Sequence, residues 1–523
     1  MKKLLVVLCV MALALPVFGE TVFRIANGSE PQSLDPHFVS GTPEHRIYQA
    51  LFEGLMIPSP ATGNPVPGIA ESYTVSADQK TYTFKLRKNL KWSDGTPITA
   101  RTVYDSWLRN LNPETASSYA SLMTDVIVGA AAYNQGKGTP AGVGIKVVDL
   151  QTFQFTCVSP APYAVSMLCH YSFAVVPTHA IKKWGADWTM PQHWVGNGPF
   201  VLKEHTPQDK IVVEKNPNYW DTKNVKIDQI VFYAAEDYAT TYKMYVNGEV
   251  DWSCNPPPTD KVAEAKARPQ KDFQVVPELG TYWYAFNMQV PPFNDVRVRQ
   301  AFTMVGKRQE MVDKITQAGQ FPATALTPAF AGYVPPKGYA EDEEKAKKLL
   351  ADAGYPGGKG FPKVTLLYNT SSTHKKIAEY FQQRFEQVLG VQVELVNQEW
   401  ATYLNNRKDG KMGGFNLARA AWIADYQDPY NFLFMWLSTN LDFNDTRWVN
   451  KKYDELVQKG NGMPAGAARN AVFAEAEKIL IEDDVVIMPI YWYVSQNLID
   501  LNKWGGWNSN QLDSHAYKFI YKK

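Results

Sequence analysis

The sequence predicts an α/β protein spread over two or three domains. Residues 364–395 read as strand, helix, strand, the unit that builds parallel sheets. The chain has 523 residues, more than one ordinary core organises. Strand-like stretches also recur far outside that unit.

Taken along the chain, residues 21–27 read as a short strand followed by a loop rich in Ser, Pro and Gly. Thr81 to Arg87 alternates with period two, as a half-buried strand does. Trp92 to Pro97 is a turn cluster, after which Thr99 caps a helix to about Leu111 with Val103 and Trp107 on one face. A helix from Asp342 to Ala353 starts acidic, continues basic and stops at Gly354, complementing its dipole. Val364 to Tyr368 is a buried strand. The helix after it runs from about His374 to Leu389, with Ile377, Phe381 and Phe385 at helical spacing and Gly390 past its end. Val391, Val393 and Leu395 then alternate with polar residues. Residues 414–424 and 485–494 are further strands. Asp428-Pro429 reads as an N-cap with proline in the first helical position. Pro256 to Pro258 is a short stiff loop, and no internal repeat is found.

The first 19 residues read as a secretion signal. Lys2 and Lys3 precede an apolar run from Leu4 to Leu15, Pro16 breaks it, and cleavage is expected before Glu20. The run is too short to span a membrane, which takes about 20 residues. Cys9 follows Leu8 and sits early in the run, so lipid anchoring is not expected. Losing Lys2 and Lys3 leaves 51 basic against 52 acidic residues, which argues against a nucleic-acid binder. Three cysteines then remain: Cys157, Cys169 and Cys254. At least one is unpaired in an oxidising compartment. Cys157 and Cys169 are a candidate pair, and buried free thiols are the equal alternative. No Cys-x-x-Cys spacing suggests zinc. The chain carries 15 Trp, 28 Tyr and 25 Phe, which suits either an aromatic core or an aromatic ligand cavity.

The sequence lacks H-E-x-x-H, G-x-S-x-G and a Walker-type phosphate loop. One stretch concentrates polar chemistry: Arg419, Trp422 and Asp425 lie within seven residues of a strand and the loop after it. Taken alone, an Arg–Asp ion pair beside a buried Trp accounts for it.

Several ordered blocks resemble the oligopeptide-binding proteins of bacterial ABC importers, solute-binding family five. They are Ser33 to His37, Leu51 to Leu55, Ile69 to Pro97, Pro291 to Arg299, Tyr368 to Ser371, His374 to Lys376, Asn397 to Trp400 and Ala418 to Tyr426. The resemblance covers essentially all of the chain after residue 19. It implies a class II periplasmic-binding-protein fold with two lobes closing about a hinge. It divides the chain into three domains: 20–56 with 179–279 and 491–523, then 57–178, then 280–490.

The resemblance implies a periplasmic monomer, without catalysis or cofactor, that captures short peptides and delivers them to an importer permease in the cytoplasmic membrane. Asp425 takes the peptide α-ammonium with Glu44 nearby, since a buried ammonium needs an anion. Arg419, Arg407 and His374 meet the carboxylate at different depths. His374 has independent support, because a first helical turn favours an anion. Trp422, Trp400 and Tyr119 form cavity walls. Backbone pairing and hydrated pockets then give affinity with little side-chain selectivity, near micromolar, roughly −8 kcal/mol. Two positions depart from the family pattern. A lysine used by some members is Thr316 here, and a cysteine pair of some members is Gly280 and Ile423. The alternatives are another cargo on the same fold (a dipeptide, a murein tripeptide, a metal complex or a sugar), a secreted hydrolase, and a surface adhesin.

Overall fold

The computed structural model describes residues 20–523 apart from 330–331 and 409–411. The expected signal, its cleavage point and Cys9 therefore lie outside the described residues, as does most of the loop after Lys408. Among the described residues no helix is long and apolar enough to cross a membrane.

Most strands join one large mixed sheet. In chain order we label its main strands β1 (Val22–Gly28), β2 (Phe200–Thr206), β3 (Lys210–Lys215), β4 (Gln229–Ala234), β5 (Trp252–Ser253), β6 (Phe273–Phe286), β7 (Val364–Asn369), β8 (Val393–Gln398), β9 (Leu417–Ile423) and β10 (Ile487–Ile499). They lie side by side in the order β8-β7-β9-β6-β10-β5-β1-β4-β3-β2. A separate four-stranded antiparallel sheet contains Thr81–Leu86 and Thr152–Thr156 at its centre.

The strand–helix–strand unit is present. β7 and β8 pair in parallel from Val364↔Val393 to Asn369↔Gln398. Helix Ser372–Leu389 joins them and buries Ile377, Phe381 and Phe385. It begins two residues before the sequence suggests, because the Ser371 hydroxyl accepts from the His374 N–H (3.4 Å) and caps it. Helix Glu343–Asp352 is capped by Asp342, which accepts from the Lys345 N–H (2.9 Å). Helix Ala100–Leu111 follows Thr99 as expected, with Val103 and Trp107 fully buried.

β6 and β10, 14 and 13 residues long, hold the two halves of the sheet together. Phe273–Pro277 pairs with Val494–Leu498, and Thr281–Ala285 pairs with Ile487–Trp492. Between Pro277 and Thr281 the register shifts. Such an irregularity bends a strand and weakens its ladder. The boundaries expected at 279/280 and 490/491 fall beside it.

Two readings are settled more finely, the first in favour of its free-thiol alternative. Cys157, Cys169 and Cys254 are all free, so the candidate Cys157–Cys169 disulfide is not formed. Asp428 is more than a local cap: it accepts from the Tyr430 N–H (2.9 Å) and also receives both terminal nitrogens of buried Arg469 at 2.7 and 2.9 Å. A two-pronged guanidinium–carboxylate contact of this kind is a strong tie.

Candidate functional site

A cavity of about 400 Å³ opens between the two halves of the large sheet, within the span typical of small-ligand sites, roughly 300–1,000 Å³. Its wall includes Ala421 to Asp425 on one side and Val494 to Gln496 on the other. Beyond Ala418, β9 pairs only with β6 among the described residues, since β7 ends its pairing at Leu367↔Ala418. Val494 to Gln496 pair only with β6. Each segment thus offers a free backbone edge where it meets the cavity, the arrangement that accepts an added extended strand.

One pole is built around Asp425. Its Oδ2 accepts from the Tyr119 hydroxyl (2.6 Å) and the Asn431 amide (3.2 Å), and its Oδ1 lies 3.3 Å from His170 Nε2. His170 Nδ1 accepts from the Ser172 N–H (3.2 Å), so the ring proton belongs on Nε2, facing Asp425. Burial pushes the Asp425 carboxyl up, but His170, Tyr119 and Asn431 outweigh it and hold the pKa below the ordinary carboxylate value. No lysine or arginine pairs with Asp425 among the described residues. Asn431 is the organiser of this pole. Fully buried, it also accepts from the Asp425 N–H (3.0 Å) and from Trp422 Nε1 (2.9 Å).

The other pole is Arg419 on β9, directly paired with Tyr284 of β6. Its guanidinium donates to Asn369 Oδ1 (3.2 Å) and the Tyr493 hydroxyl (3.0 Å), and lies 4.8 Å from the Tyr282 ring centroid. It is 7% exposed, always charged, and its partners are all neutral. His374, in the first turn of its helix, is buried with Nδ1 unpartnered. Burial, helped by Arg419, holds its pKa well below the ordinary histidine value, which favours the neutral imidazole. The six residue steps from Arg419 to Asp425 span up to about 20 Å of extended chain.

The predicted site residues are not equivalent. Asp425, Arg419, His374, Arg407, Trp422, Trp400 and Tyr119 all reach the cavity wall. Arg419 and Asp425 do not form the ion pair that their spacing alone suggests; each has other partners. Arg407 is already compensated: its Nε lies 2.6 Å from Asp445 Oδ2, and its Nη1 donates to the Tyr403 hydroxyl (2.9 Å). Trp400 stacks on Tyr403 with ring centroids 5.7 Å apart, and its indole N–H has no partner among the described residues. Glu44 lies behind the wall, whose surface here belongs to Pro43, His45 and Arg46. Its Oε1 accepts from the Gln32 N–H (2.9 Å), and burial raises its pKa. Thr316 is buried and donates its hydroxyl to Gln320 Oε1 (2.9 Å), a cavity residue.

His170 and Asn431 were not singled out from sequence. His170 lies 255 positions before Asp425, and neither falls in a motif or periodic pattern. The series Asp425–His170–Ser172 has the residue types of a hydrolytic triad, but not its access. The Ser172 hydroxyl (3.0 Å from His170 Nδ1) is 1% exposed and outside the cavity wall. Two thiols, Cys169 and Cys254, do reach the wall; burial pushes both up, Cys254 to about 12, which leaves little reactive thiolate. Among the described residues no group of three or more His, Cys, Asp or Glu is arranged to hold a metal ion.

Comparison with known proteins identifies the family and the fold. The family model for bacterial extracellular solute-binding proteins, family 5 (middle), matches residues 64–444. The periplasmic oligopeptide-binding protein OppA of Escherichia coli is 39% identical over 503 residues, covering 95% of this chain and 91% of that protein. A crystal structure of a periplasmic oligopeptide-binding protein from Borrelia burgdorferi superposes with a TM-score of 0.93 at 36% identity, covering 96% of this chain and all of that one. The murein tripeptide-binding protein MppA of Escherichia coli superposes at 0.90, with 34% identity and coverage of 96% and 99%. Its unliganded open form superposes at only 0.67, with 35% identity and coverage of 96% and 98%. The present structure therefore does not share the open arrangement. The α/β fold is that of the class II periplasmic binding proteins. The chain is a member of family 5 of the bacterial extracellular solute-binding proteins.

Proposed function

We propose that this protein is exported, captures short peptides in the cavity between its lobes, and presents them to an ABC importer. The observation that carries the reading is the charge layout. Among the described residues, a buried carboxylate with no lysine or arginine partner, Asp425, and a buried guanidinium with no carboxylate partner, Arg419, face one cavity from β9 and the loop just after it. A zwitterionic extended ligand satisfies both, its α-ammonium at Asp425 and its carboxylate at Arg419 and His374. Free backbone edges on β9 and β10 supply affinity that does not depend on side chains. Glu44 contributes from behind the wall, and Arg407 stands ready for a carboxylate at another depth by exchanging its bond to Asp445.

The three-domain division and hinge closure go with this reading, supported by the register break between Pro277 and Thr281. Export through the first 19 residues and periplasmic residence are supported by the periplasmic setting of the relatives. A murein tripeptide is the second cargo to consider, because MppA shares the fold at a TM-score of 0.90; it also carries free termini, and competition with trialanine separates the two.

The test is Asp425→Asn. Removing a buried charge partner costs about 2–5 kcal/mol, so trialanine affinity is expected to fall at least 30-fold by calorimetry while the thermal melt stays cooperative. Unchanged affinity would overturn the ammonium assignment.

A further inference from the structure

Among the described residues four basic side chains reach the cavity: Arg46, Arg407, Lys408 and Arg419. Three are held by the protein. Arg46 lies 3.7 Å from Asp513 Oδ2, Arg407 lies 2.6 Å from Asp445, and Arg419 donates to Asn369 and Tyr493. The Lys408 ammonium makes no hydrogen bond or ion pair with any described residue. Its backbone is fixed, since its carbonyl accepts from Arg447 Nη2 (3.0 Å), and its Nζ stands 5.5 Å from the Phe443 ring centroid.

Asp445, Asp442 and Glu44 attract the Lys408 ammonium from a distance, but among the described residues none forms an ion pair with it. Asp445 is engaged by Arg407, while burial raises the carboxyl groups of Glu44 and Asp442. Burial, with Arg407 adding to it, also pulls the Lys408 ammonium below its ordinary pKa. A desolvated cation of this kind gains more from an arriving anion than a hydrated one does. Its place on the map is also defined. Phe443 packs edge-on against Tyr119 with centroids 4.6 Å apart, and the Tyr119 hydroxyl donates to Asp425. Lys408 thus adjoins the pole that takes the ligand's amino terminus.

We propose that Lys408 sets a side-chain preference: it receives the carboxylate of a glutamate or aspartate at one of the first two positions of a bound peptide. This rests on the peptide reading above. It makes the cavity selective near the amino terminus, where sequence-independent contacts alone would leave it tolerant.

The experiment compares Ala-Glu-Ala with Ala-Gln-Ala, and Glu-Ala-Ala with Gln-Ala-Ala, by calorimetry on ligand-stripped protein. In at least one pair the glutamate peptide is expected to bind about ten-fold more tightly. Lys408→Met brings that pair to equal affinity, and Lys408→Arg retains the preference. Equal binding within both pairs by the unaltered protein, or a preference that survives Lys408→Met, overturns the assignment while leaving peptide binding intact. Binding of none of the four peptides overturns the peptide reading and this proposal with it.

Discussion

Asn431 makes three hydrogen bonds with one amide, and they converge on both the charge and the wall of the ammonium pole. Asn431→Ala leaves the Trp422 indole N–H and the Asp425 backbone N–H without their acceptor, at about 1–3 kcal/mol for each buried group left unpaired. The expected result is a lower thermal midpoint together with at least a ten-fold loss of trialanine affinity, read by calorimetry. Loss of stability with full affinity would mean that Asp425 is positioned by His170 and Tyr119 alone. At this scale the sequence was legible where a position is tied to a motif: Asp425, Arg419 and His374 all reach the cavity wall. It was silent on partners: Asp428 finds Arg469 41 positions away, and Asp425 finds His170. Nothing local encodes such contacts, because they are set by how distant elements pack. Even within the motif, spacing alone suggests an Arg419–Asp425 ion pair that the fold does not make.

Elements were legible to the degree that their pattern is local. The helix Ser372–Leu389 keeps a regular apolar stripe and ends on Gly390 with φ of 69°, a conformation glycine adopts without strain. The pairing of β6 with β10 was not legible, because it joins residues about 200 positions apart with breaks in register. Gly280 is paired with Ile423 on β9, the strand that carries Arg419 and Trp422. A Cβ at Gly280 would stand 2.4 Å from Ile423 Cδ1 and 3.0 Å from the Trp422 carbonyl oxygen. β6 therefore needs glycine here to lie flat against the cavity wall. Gly280→Ala is expected to destabilise the protein by about 1–3 kcal/mol in urea unfolding through overpacking. Adding Ile423→Ala recovers part of the loss by clearing the nearer contact. A Gly280→Ala variant as stable as the parent would contradict this account of the strand contact.

For the whole molecule, two cavity walls belong to two halves of one sheet, bridged by β6 and β10, and the proposed function makes ligand capture and lobe closure one event. The α/β class could be read from the strand–helix–strand unit and the family resemblance. The cavity itself could not, since its wall draws on residues from Asn27 to Ser514. The central claim is that both ends of a zwitterionic ligand are recognised, at Asp425 and at Arg419 with His374. The most direct measurement is calorimetric binding of trialanine beside its N-acetylated and C-amidated forms, using protein unfolded and refolded to remove bound ligand. The account predicts tight binding of the free peptide, loss of most affinity on acetylation, and a separate loss on amidation. Equal affinity for all three forms would contradict it.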